Sequence, residues 1–371
     1  MLNAAHLEQI VALRRAIHEH PERSGQETAT IAAIRAFLEA RTSLAVEDRG
    51  GWLLATHWES DGLPEIGFRA ELDAIPVEGA ENSARHGGDV RHGCGHDGHA
   101  AILCGLALML EGRRTGRNVR LIFQAAEETG EGGRQVCKSW PEIAGMQAVY
   151  ALHNIPGFPR NHILMRRGCF ACASCGLIVR VQGRPAHAAY PGQGANPIEL
   201  LSRLALDTPG MIADILGGED RLLMRTLIGL RAGGENFGLS ASEGQICMTL
   251  RGHRQADIDA LAEHIRAAAA AGCNESGMTC EFELRDVFPD TTNDDRAYDD
   301  ALARFRRAGL PVHFLEEPMR WSEDFGWILK RAPGVYFGIG DGEDWPGLHT
   351  EGFCFDDGII PAALAALEAL L

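Results

Sequence analysis

One short stretch of the sequence concentrates side chains that bind metal ions. Within eight positions it contains three histidines, a cysteine and an aspartate, with glycines between them: His92, Cys94, His96, Asp97 and His99. Imidazole, thiolate and carboxylate are the usual donors for zinc and related divalent ions, and glycine permits turns tight enough for Cys94 and His96 to face one centre. A polar loop with unrelated histidines is the alternative, but this crowding beside a cysteine favours a metal site.

The spacing of this stretch differs from that of a zinc finger, because no second Cys-x-x-Cys pair stands at a suitable distance. We therefore expect the other ligands far away in sequence, as in catalytic sites. Candidates stand just after three predicted strands, over residues 66–72, 119–124 and 148–152: Asp73, the adjacent pair Glu127 and Glu128, and His153. Adjacent glutamates usually lie on a solvated helix face. Glu127 and Glu128 instead precede a glycine-rich turn, where one carboxylate can bind metal while the other transfers a proton.

The order of the predicted elements indicates the fold. Up to about residue 172, strands alternate with helices, which predicts an α/β domain around a largely parallel sheet, with ligands beyond the carboxyl ends of its strands. Over residues 173–288 the order β-α-β-β-α-β predicts a small two-layer α+β domain. Residues 289–371 then return to helices and a strand. We predict a mixed-sheet catalytic domain formed by residues 1–172 and 289–371, with the domain 173–288 inserted into it.

Several helix ends are predicted from capping residues. Residues 24–27 match a capping box at the start of the second helix, and Asp97 can cap the helix that follows the metal-binding stretch. The Asn-Pro pair at 196–197 is typical of a helix start. An alanine-rich helix over residues 255–271 is expected to end at Gly272.

The composition excludes some classes of protein. A formal net charge of −16 and a pI near 5.4 argue against nucleic acid and anionic membranes as partners. The N-terminus lacks a basic stretch followed by an apolar run, so we expect no signal peptide, and no apolar run approaches the ~18 residues of a membrane span. Ten scattered cysteines suit reduced thiols. The sequence thus predicts a cytoplasmic protein.

Segments spread over the whole chain resemble the di-metal aminoacylase and carboxypeptidase superfamily. The branch they resemble most is that of the amidohydrolases acting on hippurate, indole-acetyl-amino acids and other N-acyl amino acids. The segments are residues 14–18, 21–24, 69–76, 92–99, 123–128, 151–154, 183–191, 322–325, 333–335 and His349. The resemblance implies hydrolysis of an N-acyl amino acid, or a small peptide-like conjugate, to a carboxylic acid and an amino acid. It also implies a metallopeptidase-like catalytic domain and a lid domain that often mediates homodimers.

The same resemblance implies roles for individual residues. It implies two divalent ions (zinc, manganese, cobalt or nickel), with these metal ligands: Cys94, His96, Glu128, His153 and His349. Glu127 corresponds to the general base and Asp73 to an aspartate beside the metals. His187 corresponds to a lid histidine that reaches the active site of its own or a partner subunit. Glu71 stands where other branches have a ligand histidine, and we assign it no such role.

The sequence departs from this branch in one loop. The branch often has an asparagine, a short turn containing proline, and an arginine thirteen residues after the asparagine. Here the turn after Asn236 lacks proline, and Arg251 follows fifteen residues later. Both residues are candidates to bind a substrate carboxylate, although Arg251 could equally be a surface residue of a strand.

Two alternatives remain open at this stage. The first is a catalytically silent binder of acyl-amino acids or peptides on the same fold, which the intact donor set disfavours. The second is an iron–sulfur protein that uses Cys169, Cys172 and Cys175. No fourth cysteine follows at the usual spacing, and the run leads into a predicted strand, where residues three apart face opposite sides.

Overall fold

The computed structural model describes residues 4–76 and 90–371. Before the predicted inserted domain the elements are α1 (Ala4–Glu19), α2 (Thr28–Arg41), β1 (Ala45–Asp48), β2 (Leu53–His57), β3 (Glu65–Glu71), β4 (Ile75–Pro76), β5 (Val90–Arg91), α3 (His96–Leu110), β6 (Asn118–Gln124), α4 (Gly132–Ser139), β7 (Ala148–Pro156), β8 (Ile163–Met165) and β9 (Cys169–Ala171). The following elements are β10 (Ala173–Gln182), α5 (Pro197–Leu216), β11 (Leu223–Ala232), β12 (Glu243–Gly252), α6 (Gln255–Ser276) and β13 (Thr279–Phe288). The last are β14 (Thr291–Thr292), α7 (Asp295–Arg307), β15 (Val312–Phe314), α8 (Gly326–Leu329), β16 (Gly334–Gly342) and α9 (Ile360–Leu370).

The chain divides into two compact units. The first unit contains the described residues up to Phe170, together with Thr291–Met319 and Glu323–Leu371. The second unit contains Ala171–Asp290 and the short segment Arg320–Ser322, whose grouping with it the sequence did not predict. The assignment of a lid function to the second unit stays a prediction.

The first unit is built on a mixed eight-stranded sheet in the order β1-β2-β6-β3-β7-β16-β8-β15. Its centre is parallel, because β3 pairs in parallel with both β6 and β7, and β7 with β16. The pairs β1–β2, β2–β6 and β8–β16 are antiparallel. The predicted mixed-sheet α/β class is therefore confirmed. The parallel centre brings the carboxyl ends of β3, β6 and β7 to one edge.

Helix α3 is fully buried in the core of this unit. It packs closely against α1 and α9, since a Cβ atom added at Gly105 would lie 2.8 Å from Ile10 and 2.9 Å from Leu364. A helix that is apolar on every side can only be stable when other elements surround it. The buried position fixes the N-terminus of α3, and with it the metal-binding stretch, at the edge of the sheet.

The second unit is a two-layer α+β structure. Its antiparallel sheet has the order β11-β12-β10-β13, and α5 and α6 cover the buried face. Residues alternate between buried and half-buried along β10, as expected for a strand with one covered face. The predicted order β-α-β-β-α-β is observed. Asn196 caps α5 as predicted, accepting a hydrogen bond from the Ile198 N–H.

Four local predictions were wrong. Helix α2 begins at Thr28 and is not capped by Ser24, whose hydroxyl donates to Asp73; the Glu22 carboxylate instead accepts hydrogen bonds from the Ala29 and Thr30 N–H groups. Asp97 lies in the first turn of α3 and does not cap it. Helix α6 continues past Gly272 and ends before Gly277. His153 lies inside β7 and not after it.

None of the described helices is long and apolar enough to cross a membrane. The expectation that the chain has no signal peptide depends in part on residues 1–3, which lie outside the described residues.

Candidate metal centre

The predicted metal ligands of the first unit come together at the carboxyl edge of the sheet. His153 is on β7, Glu128 follows β6, and His96 is the first residue of α3. Gly95, with φ near +101°, turns the chain between Cys94 and the helix. Glycine is required there, because its conformation is left-handed and an added Cβ would collide with the Asn154 side chain.

Among the groups of potential ligands that the described residues form, two overlapping groups consist only of predicted ligands. Cys94, His96 and His153 offer three atoms that lie within 4.8 Å of one another, and Cys94, Glu128 and His349 offer a second such set. The Cys94 sulfur is 3.3 Å from His153 Nε2, and His349 Nε2 is 3.4 Å from Glu128 Oε1. Both groups use the same cysteine, so the five predicted ligands could serve two ions that share one sulfur.

Hydrogen bonds fix the orientation of the two buried histidines in these groups. His96 Nδ1 lies 3.0 Å from the Asp73 carbonyl oxygen and 3.1 Å from its carboxylate, so it carries the proton and leaves Nε2 as the acceptor. His153 Nδ1 donates to the Asn154 carbonyl oxygen at 2.6 Å, which directs Nε2 toward Cys94. These contacts present the nitrogen lone pairs that metal ligation requires.

The hydrogen bonding of two donor atoms shows whether the site fits a cation. His96 Nε2 and Glu128 Oε1 are buried and have no hydrogen-bond partner within the described residues. Leaving a buried polar atom unpaired costs about 1–3 kcal/mol, and the two atoms lie 3.9 Å apart at the same centre. A divalent ion bound between them would satisfy both, so the donor set fits a metal site.

The ionisation of the site favours a cation as well. Burial raises the pKa of Cys94 well above the usual thiol value, and the neighbouring Glu128 and Glu127 carboxylates raise it further. Burial, with Glu323 and Glu128, also raises the pKa of Glu127 well above its usual value. A thiolate and several carboxylates can coexist in so small a buried space only when positive charge compensates them.

Asp73 connects several of these residues. Its carboxylate accepts hydrogen bonds from the Ser24 hydroxyl at 2.6 Å and from the Glu128 backbone N–H at 2.9 Å, and it contacts His96 Nδ1. Burial alone would raise the pKa of Asp73, but the contact with His96 and the hydrogen bonds from Ser24 and Glu128 hold it below the usual value. Asp73 thus orients two predicted ligands while remaining outside the two donor groups.

Glu127 lies beside the predicted ligands, and its two carboxylate oxygens have different neighbours. Its Oε2 atom is 4.0 Å from His96 Nε2, and its Oε1 atom accepts a hydrogen bond of 3.2 Å from the Asp324 backbone N–H. One carboxylate oxygen therefore faces the donor groups, as a general base would require.

The other members of the metal-binding stretch have different partners. His99 bonds Glu71 through Nδ1 at 2.9 Å and Asn154 through Nε2 at 2.8 Å. Asp97 pairs with Arg14 and His18. His92 is buried and stacks on the His18 ring, with the centroids 6.1 Å apart, and burial lowers its pKa to about 4. Of these three residues, only His99 belongs to a group of potential ligands among the described residues, together with Glu71 and His96.

Sequence reasoning missed a set of buried polar residues beneath the ligands. Their members are Arg69, Glu71, Gln124, Asn154, Glu323, Asp324, Tyr336 and Asp341. Arg69 and Glu71 interrupt an otherwise apolar strand, and a buried charge must be paired. These charged residues in an apolar strand indicated a buried charged network, but they did not identify the residues that pair with them.

The remaining predicted site residues lie in the second unit. His187 and Asn236 are exposed on neighbouring loops, which the Ala188 N–H joins by donating to the Gly238 carbonyl oxygen at 3.0 Å. Arg251 lies on β12 and donates to the Ser322 hydroxyl at 2.8 Å and to the Arg320 carbonyl oxygen. No carboxylate of the described residues pairs with Arg251, so its charge is not neutralised by an acidic side chain.

The sequence model of Peptidase family M20/M25/M40 matches residues 67–371. The chain belongs to this family. Among relatives, an N-acetylcysteine deacetylase of Bacillus subtilis is 27% identical over 98% of this chain and 96% of its own length. An N-acetyldiaminopimelate deacetylase of Lacticaseibacillus casei is 26% identical over 97% of both chains. A thermostable carboxypeptidase of Saccharolobus solfataricus is 27% identical over 98% of this chain and 94% of its own length.

Two solved structures of similar architecture bear on this M20 hydrolase. A dinuclear metal-binding peptidase of the same family from Bacillus subtilis superposes with a TM-score of 0.79 and 25% identity, over 99% of this chain and 98% of the other. A structure from methicillin-resistant Staphylococcus aureus gives a TM-score of 0.88 at 22% identity, over 98% and 96% of the two chains. The second likeness establishes the fold alone.

Proposed function

We propose that this protein is a metal-dependent amidohydrolase. It cleaves the amide bond of N-acyl amino acids, or of small peptide-like conjugates, and releases a carboxylic acid and an amino acid. The observation that carries the proposal is the pair of donor groups that share Cys94 while Glu127 Oε2 faces them. The deacetylase and carboxypeptidase relatives support the same class of reaction.

The five ligands would be Cys94, His96, Glu128, His153 and His349, holding two ions of zinc, manganese, cobalt or nickel. When bound, such ions polarise an amide carbonyl and make water more acidic. Glu127 takes a proton from the attacking water through Oε2 and returns it to the leaving amine. Asp73 keeps His96 in the tautomer with Nε2 unprotonated.

The second unit supplies recognition in this proposal. His187 helps to stabilise the oxyanion that develops on the amide carbonyl. Arg251 and Asn236 bind the substrate carboxylate. The absence of a carboxylate partner for Arg251 among the described residues supports its part, because a buried or half-buried guanidinium gains most from an anion. His187 acts in the active site of its own or of a partner subunit.

A homodimer through the second unit is part of the proposal. Its edge strand β11 exposes three large apolar side chains, Leu227, Ile228 and Leu230. An apolar edge strand is a surface on which a second copy can pair.

A charge of −16 supports the absence of nucleic acid and anionic membrane partners. The ten scattered cysteines support a reducing cytoplasm.

The structure gives different support to the two alternative functions, an iron–sulfur protein and a catalytically silent binder. The groups of potential ligands within residues 4–76 and 90–371 include none of Cys169, Cys172 and Cys175, so nothing there supports an iron–sulfur site. A catalytically silent binder of acyl-amino acids on the same fold remains the second candidate. It would bind substrate without releasing an amino acid.

A substrate panel tests the proposal. Protein stripped with a chelator is assayed with N-acyl amino acids after addition of zinc, manganese, cobalt or nickel, and release of the free amino acid is measured. We expect no release without metal and restored release with at least one ion. Matched N-acyl amino amides, which lack the carboxylate, should be poorer substrates. Full activity of protein shown by elemental analysis to be metal-free would contradict the proposal, and binding without release would favour the silent binder.

A further inference from the structure

Arg69 is the centre of a buried charged network that includes Glu71, Glu323 and Asp324. The guanidinium donates to Gln124 Oε1 at 2.9 Å and pairs with the Glu71 carboxylate. It also pairs with Glu323, at 3.0 Å, and with Asp324. All these side chains are buried, so the network is shielded from water and its geometry is specific.

The Asp324 carboxylate receives hydrogen bonds from several elements of the first unit. Gln124 Nε2, at the end of β6, donates to its two oxygens at 2.8 and 2.9 Å. The Gly133 backbone N–H, at the start of α4, donates at 2.6 Å. Together with Arg69 on β3, these donors attach residue 324 to three separate elements, so its backbone position is determined by its side chain.

The backbone of Asp324 in turn reaches Glu127. Its N–H donates to Glu127 Oε1 at 3.2 Å, while Glu127 Oε2 is left facing His96 Nε2 at 4.0 Å. A carboxylate anchored through one oxygen can rotate little, so the other oxygen keeps its direction. Proton transfer depends steeply on that direction, because catalytic groups must be held close to productive geometry.

We propose that Asp324 is a positioning residue for Glu127. Its carboxylate is fixed by Gln124, Gly133 and Arg69, and its amide then fixes the carboxylate that moves the proton. This assigns a role to Asp324, which belongs neither to the predicted ligands nor to the proposed substrate-binding residues. The inference rests on the proposed function, since it requires Glu127 to be the general base.

A substitution at Gly133 is a second way to disturb the hydrogen bond from the Asp324 N–H to Glu127. A Cβ atom at this position would lie 2.5 Å from the Asp324 carbonyl oxygen. The substitution Gly133→Ala therefore displaces the Asp324 residue at its carbonyl group without changing any charge. Glu323→Gln is the matched control for the loss of a negative charge, because Glu323 is also buried against Arg69 and raises the pKa of Glu127 as Asp324 does, while the described hydrogen bond to Glu127 comes from the amide of Asp324.

The test is a double-mutant cycle on the metal-loaded protein, with zinc stoichiometry and affinity measured by calorimetry on stripped samples. Asp324→Asn should lower kcat by about 10- to 100-fold, the cost of misplacing a catalytic group, with KM and zinc binding unchanged. In a Glu127→Gln background the same substitution should lower kcat by no more than roughly threefold, because residues that act as one unit are not additive. Glu323→Gln should lower kcat less than Asp324→Asn does.

The outcomes separate this inference from the proposed function. If Glu127→Gln keeps the kcat of the unmodified protein, the assignment of the base fails. If Glu127→Gln lowers kcat but the two losses multiply, or if Asp324→Asn reduces zinc binding in proportion to activity, the network is structural and the positioning role fails alone. Should Asp324→Asn not fold, Gly133→Ala must give the same kcat-specific, non-additive loss. A Gly133→Ala protein whose loss multiplies with that of Glu127→Gln would overturn the inference.

Discussion

Two predicted ligands of the first unit, His96 and His153, and the predicted substrate-binding residues of the second unit differ in how firmly they are held, while the predicted ligand His349 is exposed. His96 and His153 are buried, and each is oriented by a hydrogen bond to a backbone carbonyl oxygen. His187 and Asn236 are exposed on loops, and their nearest hydrogen bonds are local ones, such as the Ala189 N–H to His187 Nδ1 at 3.1 Å and the Gly238 N–H to Asn236 Oδ1 at 3.1 Å.

This contrast suggests a division between chemistry and recognition. Groups that bind ions and move protons need fixed positions, which burial and hydrogen bonding provide. Groups that contact a substrate can lie on exposed loops, where sequence changes alter specificity at little cost in stability. We therefore expect substitutions in the first unit to change the rate of the chemical step or metal content, and substitutions in the second unit to leave metal content unchanged.

The largest expected effect distinguishes the two adjacent glutamates. Glu127→Gln keeps the size of the side chain but cannot accept a proton, so kcat should fall by roughly 100- to 10,000-fold, the usual worth of general base catalysis, with metal retained. Glu128→Gln weakens a charged ligand, so metal affinity should fall and excess metal should partly restore activity. Metal stoichiometry and turnover are measured for both proteins. Loss of metal from Glu127→Gln with retention in Glu128→Gln would reverse the two roles.

An intermediate effect is expected from the second unit. His187→Ala should lower kcat by about 100- to 1,000-fold, as removal of one oxyanion donor does, while metal content stays unchanged. His264→Ala is the matched control, because His264 is an exposed histidine of the same unit on α6. Steady-state kinetics and elemental analysis on both variants provide the comparison. Equal turnover of the two variants would mean that His187 has only a structural role.

Substitutions on the edge strands of the second unit's sheet should have the smallest effect on the rate of the chemical step. Leu227 on β11 and Leu284 on β13 are each 41% exposed on opposite edge strands. β11 carries three exposed apolar residues, whereas β13 is rich in charged ones. Leu227→Lys should convert a dimer to monomers in sedimentation velocity, and Leu284→Lys should not. A dimer that survives Leu227→Lys would place the contact elsewhere.

Helices and strands could be predicted from the sequence because burial of one face gives their apolar residues a regular spacing. The apolar pattern predicted the strands around β3, β6 and β7, and turn residues bounded them. Helix α6 shows where such signals fail. Gly272 was predicted to end the helix, but a Cβ there would lie 2.5 Å from Leu200, so the glycine serves close packing between α5 and α6. Gly277, with φ near +64°, is the residue that ends the helix.

The site was predictable only in part for a similar reason. The clustered donors were His92, Cys94, His96, Asp97 and His99, and the predicted strand ends added Asp73, Glu127, Glu128 and His153. The resemblance selected four ligands from these residues and added His349. The contacts that orient them were not visible, because their partners are distant in sequence. Arg69 and Asp324 are 255 residues apart, and Ser24, read as a helix cap, instead bonds Asp73. No local pattern records which of several possible partners a buried polar group finds.

The shared position of Cys94 has a consequence for which ions the protein can use. Because its sulfur belongs to both donor groups, each ion would have one soft ligand. Magnesium and calcium are hard cations that prefer oxygen donors, whereas zinc, cobalt and nickel accept thiolate and imidazole readily. A single sulfur atom would thus select against the most abundant divalent cations of a cell at two positions together, and would tie activity to the supply of scarce transition metals.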